Sequence, residues 1–499
     1  MQRRTFLKTS AAASLAGVLG CQHRSEPAGD AKSGQPQGEN SPEQGHLTYA
    51  SPLEAMKAPP EKLAYVTCTY AGTETNKPDY LATVDLDPKS KTYCQIVHRT
   101  SMPTAGDELH HFGWNACSSC FGKASASRRY LVVPGLVSGR IHIIDTIDAA
   151  APKMHKVIEA DEIKKKTKLS APHTVHCLAD GTMMISMLGS AEGEGPGGFM
   201  VLDEGFNIVD NWTSDLGAMK FNYDYWYQPR HNVMVSSEWG APNTVRQGFN
   251  VEHVKQGRYG QQLHFWDWEK RQIDQTVDLG AEGMIPLEVR FHHNPASTHG
   301  FVGAALSSSM WHWHKGSEKW EVEKAIQVDP VEVDGWPFPV PGLITDLVLS
   351  LDDRYLYFSN WLHGDIRQYD VSDPAKPKLT GRLWLGGVLK RSGEGDGEPA
   401  EKTMHSEHQL YGGPQMLQLS LDGKRLYVTN SLYSPWDDQF YPDLGKRGSY
   451  MLQLDCNTES GGLSLNKDFY VDFGAGSSEP IRSHEMRFPN GDCTSDIWV

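Results

Sequence analysis

Leu349-Ser350-Leu351-Asp352-Asp353-Arg354-Tyr355-Leu356-Tyr357 returns further along the chain as Leu419-Ser420-Leu421-Asp422-Gly423-Lys424-Arg425-Leu426-Tyr427. Cys177-Leu178-Ala179-Asp180-Gly181-Thr182-Met183-Met184-Ile185 is a looser copy. Each copy sets an Asp-Asp or Asp-Gly turn between two apolar runs, the pattern of a two-stranded hairpin. A second short segment, apolar and ending in Asp, recurs around these hairpins. It ends at Asp85, Asp145, Asp203, Asp267, Asp370 and Asp455, with a seventh version, Met310-Trp311-His312-Trp313-His314, that carries His in the Asp place. Most of these ends lie about sixty residues apart, and an insertion at 386–412 accounts for the long last interval. Seven such units predict an all-β fold, a seven-bladed β-propeller with about four strands to a blade. The run from His484 to Val499 has the look of an inner strand with no Asp-ended strand after it. The strands near Tyr65 and Val84 are expected to complete that blade and so close the ring. Two stacked β domains would not produce so even a repeat.

The chain has 499 residues, long enough for several ordinary domains, but the repeat assigns most of it to one unit. A net charge of −15 argues against nucleic-acid binding, which needs a basic face for phosphates. The 48 Gly, 29 Pro and 14 Trp suit turns and aromatic strands better than a helical bundle. Twenty-one His is a high number, so their placement becomes the question.

The ends of the chain read differently. Arg3-Arg4-Thr5-Phe6-Leu7-Lys8, followed by a short, mildly apolar run to Gly20, has the form of a twin-arginine export signal over residues 1–20. That run is too short to span a bilayer as a mature helix. Val18-Leu19-Gly20-Cys21 resembles a lipoprotein cleavage box, with Cys21 as the lipid acceptor; an unlipidated cut near Cys21 is the other reading. Residues 22–46 lack Val, Ile, Leu, Met, Phe, Trp and Tyr, so residues 21–48 read as a flexible tether and 49–499 as the propeller. The expected location is the periplasm, free or as a membrane-anchored lipoprotein. Membrane contact would come only through Cys21.

In a propeller the starts of the innermost strands converge on the axis. Polar residues expected there are His110 and His111, His173 and His176, Glu288, Asp346, Gln415, and His484 with Glu485. His363 is expected on a loop at the same mouth, while His231 and His293 fall near hairpins. A single His at a strand start is usually structural. Several converging on one channel point to a metal, and imidazoles suit copper, zinc, iron or nickel. His173 and His176 stand three apart, which on an unbroken strand puts them on opposite faces. Cys117-Ser118-Ser119-Cys120 lies in what reads as a strand, where residues three apart cannot form a disulfide, so one structural and one functional Cys is the expectation. Beyond Cys21 seven Cys remain, and an odd number leaves at least one thiol unpaired. No phosphate-binding Gly-rich loop, zinc-finger spacing or nucleophile elbow is present.

The stretch His110-His111-Phe112-Gly113-Trp114-Asn115-Ala116-Cys117-Ser118-Ser119-Cys120-Phe121-Gly122 closely resembles the signature of the selenium-binding protein/methanethiol oxidase family. So do Trp226–Met234, Phe358–Asp365 and Gly412–Met416, and the likeness runs from about Ser51 to Val499. The resemblance implies a propeller and, for bacterial members, a copper-dependent oxidation of methanethiol by oxygen and water to formaldehyde, hydrogen sulfide and hydrogen peroxide. It implies selenium or thiol binding at Cys117, with Cys120 retained beside it. With the axial reading added, the expected copper ligands are drawn from His110, His111, His173, His176, His363 and His484. Glu288 or Asp346 would serve as proton acceptor and Cys117 as a relay. The competing function is a non-catalytic selenium- or thiol-binding scaffold. A propeller lactonase, which would hold calcium through oxygen ligands, fits a His-rich axis poorly.

Overall fold

The structure, a computed structural model, describes residues 47–336, 338–389, 404–474 and 479–499. The expected signal, Cys21 and the tether up to residue 46 lie outside the described residues, as does part of the 386–412 insertion. Among the described residues no helix is long and apolar enough to cross a membrane.

Seven four-stranded antiparallel sheets form the blades of a β-propeller. The repeated hairpins are the two inner strands of their blades: Leu169–Cys177 with Met183–Ser190, Ile344–Leu349 with Tyr355–Asn360, and Leu417–Leu419 with Arg425–Val428. The Asp-ended segments are the third strands, among them Tyr80–Asp85, Ile141–Asp145, Gln262–Asp267 and Asp365–Asp370. The Asp recurs for a physical reason. Its carboxylate accepts the backbone N–H two residues on, from Asp87 to Asp85, Ile147 to Asp145, Gly205 to Asp203 and Ser372 to Asp370. That turn ends the strand and starts the hairpin to the outer edge.

The ring closes as expected. The last strand, Arg482–Arg487, pairs antiparallel with Leu63–Thr69, so the first blade takes its inner strand from the far end of the chain. Closure pairs the inner edge of Leu63–Thr69 and gives the first blade the same four strands as the others.

Two repeated devices shape the axis. The first is a hydroxyl on or just after a second strand that donates to a carbonyl of the next blade's inner segment. Thr67 reaches His110 O, Ser186 reaches Tyr223 O, Ser237 reaches Leu287 O, Ser359 reaches Gln415 O and Thr429 reaches His484 O. The second is an extra residue in the inner strand. Register slips at Ser483–Met486, Pro172–Val175, Pro286–Val289 and Ile344–Asp346. Such bulges re-aim side chains, and these coincide with His484-Glu485, His173, Glu288 and Asp346.

The C-terminal segment after Phe488 folds across the other end of the channel. Asp496 accepts from Ser118 N and Ser118 Oγ, Gln228 donates to Trp498 O, and Trp498 packs on His293.

Candidate functional site

Four imidazoles meet on the axis. His110 stacks on His484 with ring centroids 3.8 Å apart and lies 4.9 Å from His111 and 5.2 Å from His173. His111 and His173 are 4.1 Å apart. Nitrogen atoms of His110, His111 and His484 lie within 4.8 Å of one another, close enough to share one ion. All four rings are buried. Tyr223 lies 4.2 Å from His173, and Tyr433 6.2 Å from His110. Trp239, packed on both tyrosines, and Trp436 behind it complete an aromatic cover.

For His484 the hydrogen-bond partner fixes which nitrogen is open. Ser431 O can only accept, so His484 donates through Nδ1 at 2.7 Å and keeps its lone pair on Nε2. His111 turns Nδ1 to Glu485 Oε1 at 3.3 Å. His173 sets Nδ1 3.0 Å from the Thr174 hydroxyl. The remaining Nε2 atoms of His111, His173 and His484 are buried and meet no hydrogen-bond partner among the described residues. An unsatisfied buried polar atom costs about 1–3 kcal/mol. Protons do not relieve this. Burial, with the neighbouring imidazoles adding, pushes His110 and His173 well below the usual histidine range and His111 and His484 down to about 3. Imidazoles whose charged form is disfavoured, with buried Nε2 atoms that lack partners and opposite nitrogens held by neighbours, fit a bound transition metal.

Beside this cluster is a charged layer. Arg290 bridges Asp224 (2.7 Å) and Glu288 (2.8 Å), and Arg487 pairs with Glu485. Three of the carboxylates also accept the inner-strand N–H of the next blade: Asp224 from Val289, Asp346 from Leu417 and Glu485 from Phe112. Burial, helped by the charges of Asp224 and Asp346, raises Glu288 well above the carboxylate range. Burial is the largest influence on Asp224, but Arg290, His176 and the hydrogen bonds from Glu288 and Val289 together hold it below its usual value. Of the two, Asp224 is the stronger acid and Glu288 the weaker. Glu288 Oε1 has no hydrogen-bond partner among the described residues and stands 3.7 Å from His111 Nε2. Burial pushes Asp346 up to about 7.

The other expected residues are placed apart. His176 does not face away from the channel, because the bulge at His173-Thr174 offsets the alternation assumed for a regular strand. Its ring is buried against Tyr225 and Trp226, beyond the four-His cluster along the same strand. His363 Nε2 meets Val340 O at 2.9 Å, outside the cluster. Cys117 follows the inner strand Gly113–Trp114, at the opposite end from His110-His111. The Cys-Ser-Ser-Cys run is not strand but a 3₁₀ turn over Ser118–Cys120. Cys117 forms a disulfide with Cys177 from the next blade, and Cys120 keeps a thiol 3.2 Å from Leu178 O. Sequence reasoning missed Tyr223, Asp224 and Tyr433. Asp224 was accessible: it precedes the inner strand Tyr225–Gln228, much as Glu288 and Asp346 stand near the starts of theirs.

Residues 43–499 match the family described as 56 kDa selenium binding protein. A human methanethiol oxidase is 55% identical over 463 residues, covering 90% of this chain and 98% of the relative. Selenium-binding protein 2 of Arabidopsis thaliana is 53% identical over 462 residues, covering 90% and 95%. The X-ray structure of a hypothetical selenium-binding protein from Sulfolobus tokodaii superposes with a TM-score of 0.83 at 46% identity, covering 91% of this chain and 99% of that one.

Proposed function

The chain belongs to the 56 kDa selenium-binding protein family, and from that membership we propose that it is a copper-dependent methanethiol oxidase. Methanethiol, oxygen and water would become formaldehyde, hydrogen sulfide and hydrogen peroxide. Relatives named methanethiol oxidase at 54–55% identity support the activity. The observation that carries the metal reading is the set of buried, unpartnered Nε2 atoms on His111, His173 and His484 beside His110.

His110, His111 and His484 would hold copper, with His173 adjoining. Bound there, copper would supply the one-electron chemistry that links a thiol to dioxygen. The chain supplies proton control. Glu288, whose carboxyl burial holds well above the usual carboxylate range, stands next to His111 and is suited to donate a proton. The proton-accepting role expected of either carboxylate suits Asp346, whose carboxyl burial pushes up to about 7 in the same charged layer. Tyr223, kept a phenol chiefly by burial, adds a second donor beside Glu288. Tyr223, Trp239 and Tyr433 cover the cluster with aromatic surface, which suits an apolar thiol.

Complete chelation of the purified protein should abolish methanethiol-dependent oxygen uptake, and copper should restore it. Activity that survives with no metal present overturns this reading. Cys120, with its free thiol near the Cys117–Cys177 disulfide, favours a second reading as a selenium or thiol carrier. A metal-free, inactive protein that binds selenite through these sulfurs would support it. The Arg3-Arg4 signal and Cys21 support a lipid-anchored location outside the cytoplasm; Cys21→Ser should shift the protein from the membrane to the soluble fraction.

A further inference from the structure

A second group of histidines lies on the fifth blade. The strands Gly300–Ala304, Ser309–Lys315 and Trp320–Gln327 pair so that Gly300 faces Trp313, His312 faces Glu323 and His314 faces Glu321. Side chains alternate along a strand. His312 and His314 therefore share one face, and His299, just before Gly300, joins them across the strand pair. Their nitrogens lie within 4.8 Å of one another. The rings are nearly parallel, 5.0 Å apart for His299 and His312 and 5.5 Å for His312 and His314.

The carboxylates opposite set the tautomers. Glu323 Oε1 is 3.3 Å from His312 Nδ1, and Glu321 Oε2 is 3.5 Å from His314 Nε2. Glu323 accepts the His312 N–H as a hydrogen bond, and Glu321 favours an N–H on the His314 Nε2 that faces it. That leaves lone pairs on His312 Nε2 and His314 Nδ1, and His314 Nδ1 is buried with no hydrogen-bond partner among the described residues. His299 Nδ1 is 2.8 Å from His312 Nε2. The one proton that fits between those two nitrogens does nothing for His314. This is the carboxylate–histidine pairing that orients metal ligands, built twice on adjacent positions.

We propose that His299, His312 and His314 bind a late first-row divalent cation, copper(II) or zinc(II), in a second site with an open fourth position. Three imidazoles without a thiolate suit those ions, and zinc holds His nitrogen at about 2.0–2.1 Å. The site is separate from the axial cluster. The inner strand Pro286–Phe291 begins beside Glu288 at the axial histidines, and the hairpin that leads to His299 lies past its other end. His314 and both glutamates are partly exposed, so an ion reaches the site from solvent without crossing the channel.

The test uses the full-length protein stripped with chelator and titrated with Co²⁺ alone, followed by elemental analysis and visible absorption. The variant His312→Asn/His314→Asn should bind one equivalent fewer than wild type. Glu323→Gln, which removes no ligand, should weaken that equivalent by about 10–100-fold. Equal Co²⁺ stoichiometry in wild type and a folded double variant overturns the proposal. If the double variant does not fold, unchanged affinity in Glu323→Gln overturns it.

Discussion

His110 and His484 stack ring on ring at 3.8 Å, although one precedes the inner strand of the second blade and the other lies in the strand that closes the first. The contact exists only because the chain ends meet. Ser431 O holds one face of the arrangement by accepting from His484 Nδ1, and Thr67 and Thr429 hold the backbone carbonyls of the two histidines. The axial cluster is therefore a product of ring closure.

Replacing His484 with Ala should remove both a proposed copper ligand and a stacking partner. Metal retained after gel filtration should fall, and turnover of methanethiol should drop about 100-fold or more. Elemental analysis alongside sulfide release checks this, with a thermal melt to confirm folding.

Asp346 gives a pH signature. A proton acceptor must be ionised, so kcat should rise with pH through about 7, and Asp346→Asn should flatten that limb. The linked stability effect has the opposite sense. The folded pKa lies above the unfolded value, so the contribution is full below about 4 and lost as pH rises through about 7. The stability of wild type relative to Asp346→Asn should thus decline across that window, read by urea unfolding at each pH.

Thr429→Val keeps the side-chain shape but deletes the donor to His484 O. Leaving that buried carbonyl unsatisfied should cost about 1–3 kcal/mol. Metal affinity should fall with it, since His484 loses an anchor. An isosteric variant with unchanged stability and metal binding would show that the hydroxyl contributes nothing.

Cys117→Ser breaks a disulfide that closes a loop of 60 residues. Stability in non-reducing buffer should fall by about 2–4 kcal/mol. Because the sulfur lies past the inner strand from the histidines, metal content should be retained and turnover per metal should stay within about twofold. A large loss of turnover at full metal content would place Cys117 in the chemistry.

Much of the fold was legible because a propeller repeats its local rules. The Asp-ended strands are third strands since the carboxylate caps the next turn, and that requirement is local. The charged layer was legible only in part. Glu288 and Asp346 show as polar residues near apolar strands, but their proton affinities come from burial and from Arg290, Asp224 and one another. The Cys-Ser-Ser-Cys run was misread as strand because the turn at Ser118–Cys120 carries no Gly or Pro to announce it. The seventh repeat unit, with His in the Asp place, showed its odd residues plainly in the sequence. Their meaning waited on the strand register.

The sequence by itself determined the seven-unit repeat, the shared first blade and the candidate axial residues, since these follow from strand alternation and turn chemistry within short windows. Only the tertiary structure decided which imidazoles meet, which of their nitrogens are left without partners, and that Cys117 pairs with Cys177. Those outcomes depend on inner-strand bulges and inter-blade hydroxyl contacts, which join residues far apart in the chain and leave no periodic trace in it.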